Sequence, residues 1–239
     1  MGIKIFGKLT GRNKFIQAGE YLISPKDSIL KFLNNVAEGN IYYRQVRFKE
    51  GSTFKDLLSI LIENPFILKN KNIEDYSLIS AHLNILSTSL EGIFYPDTYY
   101  FKKGDSYLEI LKRAHHKHKN VLKEIWQLRR VGLPYKNSYE ALILASIIEK
   151  EGIEKKEIAG VFVRRLLSNM KLQSDPTVIY ALGEKFTGNL TKAHLLMNHP
   201  YNTYKTQGLP PSPIGLVSHS SIEAAINPAN NANIMHSIP

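Results

Sequence analysis

Cysteine is absent from the 239 residues, which excludes disulfides and any metal held by thiolates. No window holds the ~18 consecutive apolar residues that a bilayer-spanning helix needs. The opening stretch MGIKIFGKLTGRNKF lacks the apolar centre of a signal peptide, so the chain as it stands is expected to be soluble. It contains no internal repeat, no low-complexity tract and no overall disorder signature. The GxSxG elbow of serine hydrolases and the HExxH of zinc proteases are both missing. GKLTGRNK, Gly7 to Lys14, hints at a phosphate loop but lacks the GK[ST] ending. Acidic residues are the scarcer charge, 21 against 31 basic ones, for a net charge of +10. That balance favours an anionic partner such as nucleic acid, phospholipid or an acidic polymer, and it says nothing of fold.

Hydrophobic residues make up 43% and charged residues 22%, the composition of a globular chain able to bury a real core. Short alternating elements come first. FIQAGEYLI, Phe15 to Ile23, reads as a strand. A helix follows, with Ser24 as N-cap, Pro25 at N1 and Gly39 at its end. Ile41 to Phe48 is rich in β-formers. The next helix opens at Ser52 or Thr53, where Thr53 and Asp56 resemble a capping box, and ends at Asn64 to Phe66.

Helical patterns then dominate: Ile73 to Leu86, Asp105 to about Leu128, Ser138 to Glu151, and Glu154 to Ser168. LEGIFYPDTYYF, Leu90 to Phe101, is aromatic and reads as a strand or extended loop. Asp175 suits an N-cap with Pro176 at N1. His199 to Gly215 is too rich in Pro, Gly and Tyr for a core element, and such loops line sites. A last short helix is expected over SSIEAAIN.

One junction carries chemical interest. ILASIIEKEG, Ile143 to Gly152, runs from packed apolar residues straight into Glu149, Lys150 and Glu151. Helical spacing puts Glu149 over Leu142, Ala145 and Ser146. A carboxyl seated there is partly desolvated and its pKa is expected to rise, as a general acid requires. The pattern equally suits the solvated end of a core helix. Glu151 sits over Ile147 and Ile148, so spacing does not choose between the two carboxylates. His115, His116 and His118 form a cluster in which His115 and His118 could share a metal, yet no carboxylate stands at ligand spacing. A basic solvated helix face explains them as well, and no metal or cofactor is expected. YYRQVRFK interleaves basic and aromatic residues as single-strand nucleic-acid binders do, and as half-buried strands also do. QSDPT and YNTY gather hydroxyl, amide and Tyr groups suited to a polyhydroxylated ligand.

Taken in order, ASIIEKE (Ala145–Glu151), VFVRRL (Val161–Leu166), LQSDPTVIYALG (Leu172–Gly183), YNTYKTQGLPPSPI (Tyr201–Ile214) and AAINPA (Ala224–Ala229) resemble the endolytic murein transglycosylases, the MltG or YceG-like family. LEGIFYPDTYYF is similar to the segment preceding that family's catalytic helices. The resemblance implies an α+β fold: a small LysM-like βααβ module over residues 15–70, then a mainly helical YceG-like domain with a small sheet over 71–239. It implies cleavage of peptidoglycan glycan strands between MurNAc and GlcNAc, leaving 1,6-anhydro-MurNAc ends. It also selects Glu149, the first Glu of EKE, as the catalytic residue. Gln173, Asp175, Thr177, Tyr180, Tyr201, Asn202, Thr203 and Tyr204 would line the substrate groove. Peptidoglycan synthases are implied as candidate partners, and nucleic acid is not. The implied location is the inner membrane facing the periplasm.

The chain departs from the family pattern. Arg164 replaces an Asn of FxNRL, Ser212 a Gly of LPPGPI, and Leu216 to Ser218 a following NPG. The family's N-terminal transmembrane helix and its aromatic and Gly-His-aromatic segments beyond AAxxP have no counterpart, so the chain is expected to be clipped at both ends. Two further readings therefore stand beside the lyase: a truncated homologue that only binds glycan, and a basic nucleic-acid binder.

Overall fold

The computed structural model describes residues 19–69, 73–85 and 89–230. The first helix, α1, spans Ile29–Glu38 rather than starting beside Ser24. The Asp27 carboxylate accepts from the Ser24 N–H and pairs with Lys31, closing a turn that leaves Ser28 as the N-cap. Pro25 lies in that turn. Gly39 ends α1 as expected, in the left-handed conformation (φ 72°) that glycine adopts at no steric cost. The expected strand over Phe15–Ile23 is not formed within its described part. Gly19–Ile23 is irregular, with one ladder-like bond from the Tyr42 N–H to the Glu20 carbonyl, and Phe15–Ala18 lies outside the described residues.

Strand β1, Arg44–Arg47, pairs antiparallel with β2, Thr98–Phe101, in the register Arg44↔Phe101 to Arg47↔Thr98. Between them run α2, Phe54–Glu63, and α3, Tyr76–Leu83. The chain thus follows strand–helix–helix–strand order from Arg44 to Phe101, its closing strand coming from beyond residue 70. The capping box of Thr53 and Asp56 is formed on both sides. Phe54, Leu57, Leu58 and Leu61 of α2 meet Val46, Phe48, Phe94 and Phe101 in a first core.

A long helix, α4, Tyr107–Gln127, joins the two halves: Ile110 and Leu111 enter the first core and Ile125 the second. The second core is built on α5, Ser138–Glu151, and α6, Lys155–Leu167. Helix α7, Asp175–Leu182, a short α8, Lys192–Leu196, and α9, His219–Ile226, complete the described fold. Helix α9 packs across α4, α5 and α6. Asp175 is the first residue of α7, not its cap. Ser174 takes the cap position because its backbone is pinned by Thr203 and Thr177. The architecture is α+β with one small two-stranded sheet among the described residues. No helix among them is long and apolar enough to cross a membrane.

Candidate active site

The run Ala141–Ile148 of α5 is buried on every side. Ser146, its one polar member, is 1% exposed. Its hydroxyl donates back to the Ile143 carbonyl (2.7 Å) and accepts from the Ile214 N–H (3.0 Å). The serine therefore fastens the irregular 209–218 segment to the helix. That segment continues into a reciprocal pair of backbone bonds: Gly51 N–H to the Leu216 carbonyl (2.8 Å) and Leu216 N–H to the Ser52 carbonyl (2.7 Å). Gly215 sits where a Cβ would lie 2.8 Å from the Gly51 carbonyl oxygen, so only glycine permits the approach.

Glu149 follows one turn after Ala145 and Ser146, as the spacing predicts. Its side chain is 7% exposed. Oε2 accepts from the Ser218 N–H (2.9 Å), the Ser218 hydroxyl (2.5 Å) and the Ser221 hydroxyl (2.6 Å), and Oε1 pairs with Lys155 Nζ at 3.0 Å. Ser218 and Ser221 are the N-cap and third residue of α9, so the carboxylate also faces the positive end of that helix. Burial pushes the Glu149 pKa up, but the two serines and Lys155 outweigh it, and the group titrates below its ordinary 4.5. This corrects the expectation of a raised pKa. The apolar seat is present, but it stops below the carboxyl; the serines above it come from a helix some seventy residues further along the chain, and Lys155 comes from the start of α6. Glu151 behaves in the opposite way. Burial raises its pKa despite a 2.5 Å bond from the Ser174 hydroxyl, and nearby Asp175 adds to the rise.

Two recesses flank this junction and share Lys150. One, of about 750 Å³, holds Glu149, Lys155, Ser220 and Glu223. The other, of about 800 Å³, lies between α2, α3 and α7 and is lined by Phe54, Tyr76, Glu91, Tyr180 and Glu184. Glu91 escaped sequence reasoning. It is 7% exposed, Oε1 accepts from the Phe54 N–H (2.9 Å) and Oε2 from the Tyr180 hydroxyl (3.1 Å). Burial lifts its pKa to about 7 against those hydrogen bonds. The one sequence signal was an acidic residue set in the apolar run LEGIF.

The residues expected to line a groove divide into groups. Tyr180 faces the larger recess, and its ring lies 5.0 Å from that of Tyr201, whose hydroxyl meets Ser212 (2.5 Å). Thr177, Asn202 and Thr203 are fully buried. The Asn202 amide donates to the Leu195 (3.0 Å) and Met197 (2.7 Å) carbonyls, and the Thr177 and Thr203 hydroxyls bond one another at 2.9 Å. These three hold the loop that carries Tyr201 and Tyr204. Asp175 is exposed and accepts from the Tyr204 hydroxyl (2.7 Å), while Gln173 is exposed with a positive φ of 52°.

The histidine cluster does not converge. His115 Nδ1 faces the Ile93 carbonyl at 3.0 Å, and His118 is 3% exposed with a pKa driven down to about 3 by burial. Among the described residues no three metal-ligating side chains come together. In YYRQVRFK, Arg44 lies over the Phe66 ring at 3.4 Å and pairs with Glu20, while Val46 is buried. That stretch is a half-buried strand with its first arginine already engaged.

The sequence profile of the YceG-like family matches residues 2–236. An endolytic murein transglycosylase of Bacillus subtilis is 33% identical over 92% of this chain and 66% of its own length. One from Streptococcus pneumoniae strain R6 is 30% identical over 78% of this chain and 35% of its own. The chain thus spans less than two thirds of either relative. A crystal structure of a yceG-like protein from Listeria monocytogenes superposes with a TM-score of 0.66 at 28% identity, covering 98% of this chain and 83% of that one.

Proposed function

This chain belongs to the YceG-like family, and on that premise we propose that it is an endolytic peptidoglycan lytic transglycosylase in which Glu149 serves as acid and then base. The observation that carries the reading is a nearly buried carboxylate, held by Ser218, Ser221 and Lys155 at the mouth of a recess. One carboxyl suffices for this chemistry. A protonated Glu149 gives its proton to the leaving glycosidic oxygen as the bond from MurNAc C1 breaks. The carboxylate then takes the proton of the same sugar's C6 hydroxyl as O6 closes on C1. Protons balance, no water is consumed, and the product carries a 1,6-anhydro ring. The second carboxylate that hydrolytic glycosidases require has no task here.

Because Glu149 titrates below its ordinary value in the free protein, it must take up a proton from solvent as the glycan binds. A sugar that covers the recess removes solvent from the carboxyl, and that desolvation raises its pKa. The strand–helix–helix–strand unit, Arg44 to Phe101, serves on this reading as a LysM-like glycan-binding module. Gln173, Asp175, Tyr180, Tyr201 and Tyr204 present polar and aromatic groups toward the strand, and Thr177, Asn202 and Thr203 hold their loop in place. The reading places the protein at the outer face of the inner membrane, with peptidoglycan synthases as candidate partners.

Purified protein incubated with sacculi should release anhydro-muropeptides detectable by mass spectrometry, and Glu149→Gln should lose that release by a factor of at least about 100. Equal product from both proteins would remove Glu149 from the chemistry. Sacculus binding without product from either protein would leave a glycan-binding protein.

A further inference from the structure

The larger recess contains a titratable group that the proposed chemistry does not use. Glu91 joins two separate parts of the fold. Its carboxyl accepts from the backbone at the start of α2 and from the Tyr180 hydroxyl on α7. The Gly92 N–H faces it as well, Lys150 of α5 and Tyr76 of α3 lie within electrostatic reach, and Lys55, Asp56 and Glu184 line the same recess. Phe54 and Tyr76 form an aromatic wall with rings 5.1 Å apart, and a Lys55–Glu184 ion pair bridges the rim.

A phenol has one proton and two lone pairs. When Glu91 is charged, the Tyr180 proton points at it, and the recess meets only lone pairs. When Glu91 is neutral, its carbonyl oxygen still accepts from Phe54 and its own proton goes to the Tyr180 oxygen. The Tyr180 proton is then free to turn into the recess. We propose that Glu91 is a positioning residue that sets the direction of the Tyr180 hydroxyl, so that the recess binds an acetamido sugar through a hydrogen bond from Tyr180 to the N-acetyl carbonyl. The exposed Tyr76 ring, backed by the buried Phe54, suits the acetyl methyl and the apolar sugar face. Burial places the Glu91 titration at about 7, so both directions of the hydroxyl are populated near neutral pH. The inference rests on the glycan reading above.

The test is binding of purified, peptide-free glycan strands from sacculi, measured by calorimetry between pH 5.5 and 8.5, with circular dichroism to verify folding. Every protein compared carries Glu149→Gln, so that no strand is cut and no proton is taken up at residue 149, and wild type here means wild type at Glu91 and Tyr180. Wild-type affinity should fall about three- to tenfold as pH rises through 7. Glu91→Gln supplies a permanent donor to Tyr180 and should bind with the low-pH affinity throughout. Tyr180→Phe should bind weakly at every pH. A Glu91→Gln profile that tracks wild type, or wild-type binding without pH dependence, overturns the role of Glu91 and leaves the glycan reading intact. Absence of wild-type binding at any pH overturns both.

Discussion

Ser221→Ala separates the charge of Glu149 from its position. The Ser221 hydroxyl is fully buried and stands 2.6 Å from Glu149 Oε2. A hydrogen bond to an ionised group contributes about 1.5–3 kcal/mol, and one pKa unit corresponds to about 1.4 kcal/mol. Removing the hydroxyl should raise the Glu149 pKa by about 1–2 units, since Ser218 and Lys155 remain. The sign for stability follows from the depressed folded value. Glu149 stabilises the fold above 4.5, and that contribution is lost as pH falls through the folded pKa. The variant should therefore be less stable at neutral pH and differ little from wild type in strong acid. The carboxyl pKa can be followed by NMR of protein carrying ¹³C-labelled glutamate, and catalysis by the pH dependence of anhydro-muropeptide release. If Glu149 works from its protonated form, the alkaline limb of the rate profile moves up with the pKa. A raised pKa with an unmoved limb would refute Glu149 as the acid, and an unmoved pKa would refute the hydrogen-bond origin of its charge.

Other outcomes can be measured on the free protein. The rise of the Glu91 pKa from 4.5 to about 7 means the folded state binds the extra proton in that window. Wild type should then lose about 3 kcal/mol between those pH values, and chemical denaturation of Glu91→Gln should show no such loss. Gly215→Ala places a methyl 2.8 Å from the Gly51 carbonyl and 3.2 Å from Lys150 Cε. Forcing the 209–218 segment off α2's leading turn should cost about 1–3 kcal/mol, and protection of the Gly51 and Leu216 amides from hydrogen exchange should fall. Asn202→Ala strands the Leu195 and Met197 carbonyls, and a loss of about 2–3 kcal/mol in denaturant melts is expected.

How much was legible in the sequence depends on the range of the interaction. The capping box at Thr53 and the extent of α5 were readable because both are local, set within a few residues by hydrogen bonds and by apolar spacing. The start of α1 was misplaced for an equally local reason. Asp27 competes for the Ser24 N–H and shifts the cap to Ser28. The strand expected at Phe15 to Ile23 shows another limit. Within its described part the backbone bond from the Tyr42 N–H to the Glu20 carbonyl does not extend into a ladder, and β-propensity alone does not make one.

The candidate site divides along the same line. Chain order and the EKE motif by themselves put Glu149 on one helical face above Ala145 and Ser146, and the structure keeps it there. Its charge was beyond the reach of periodicity, because Ser218 and Ser221 approach from α9, 69 and 72 positions later. Glu91 was invisible for the same reason. Its partners, Phe54 and Tyr180, lie 37 and 89 positions away, and only the closed fold supplies them. The sequence alone thus determined that Glu149 and Glu151 both stand at the end of the buried helix, since backbone spacing decides that, and the family resemblance rather than spacing singled out Glu149. Only the tertiary structure decided which carboxyl holds a proton near neutral pH, because protonation answers to burial and to neighbours that the fold brings from elsewhere in the chain.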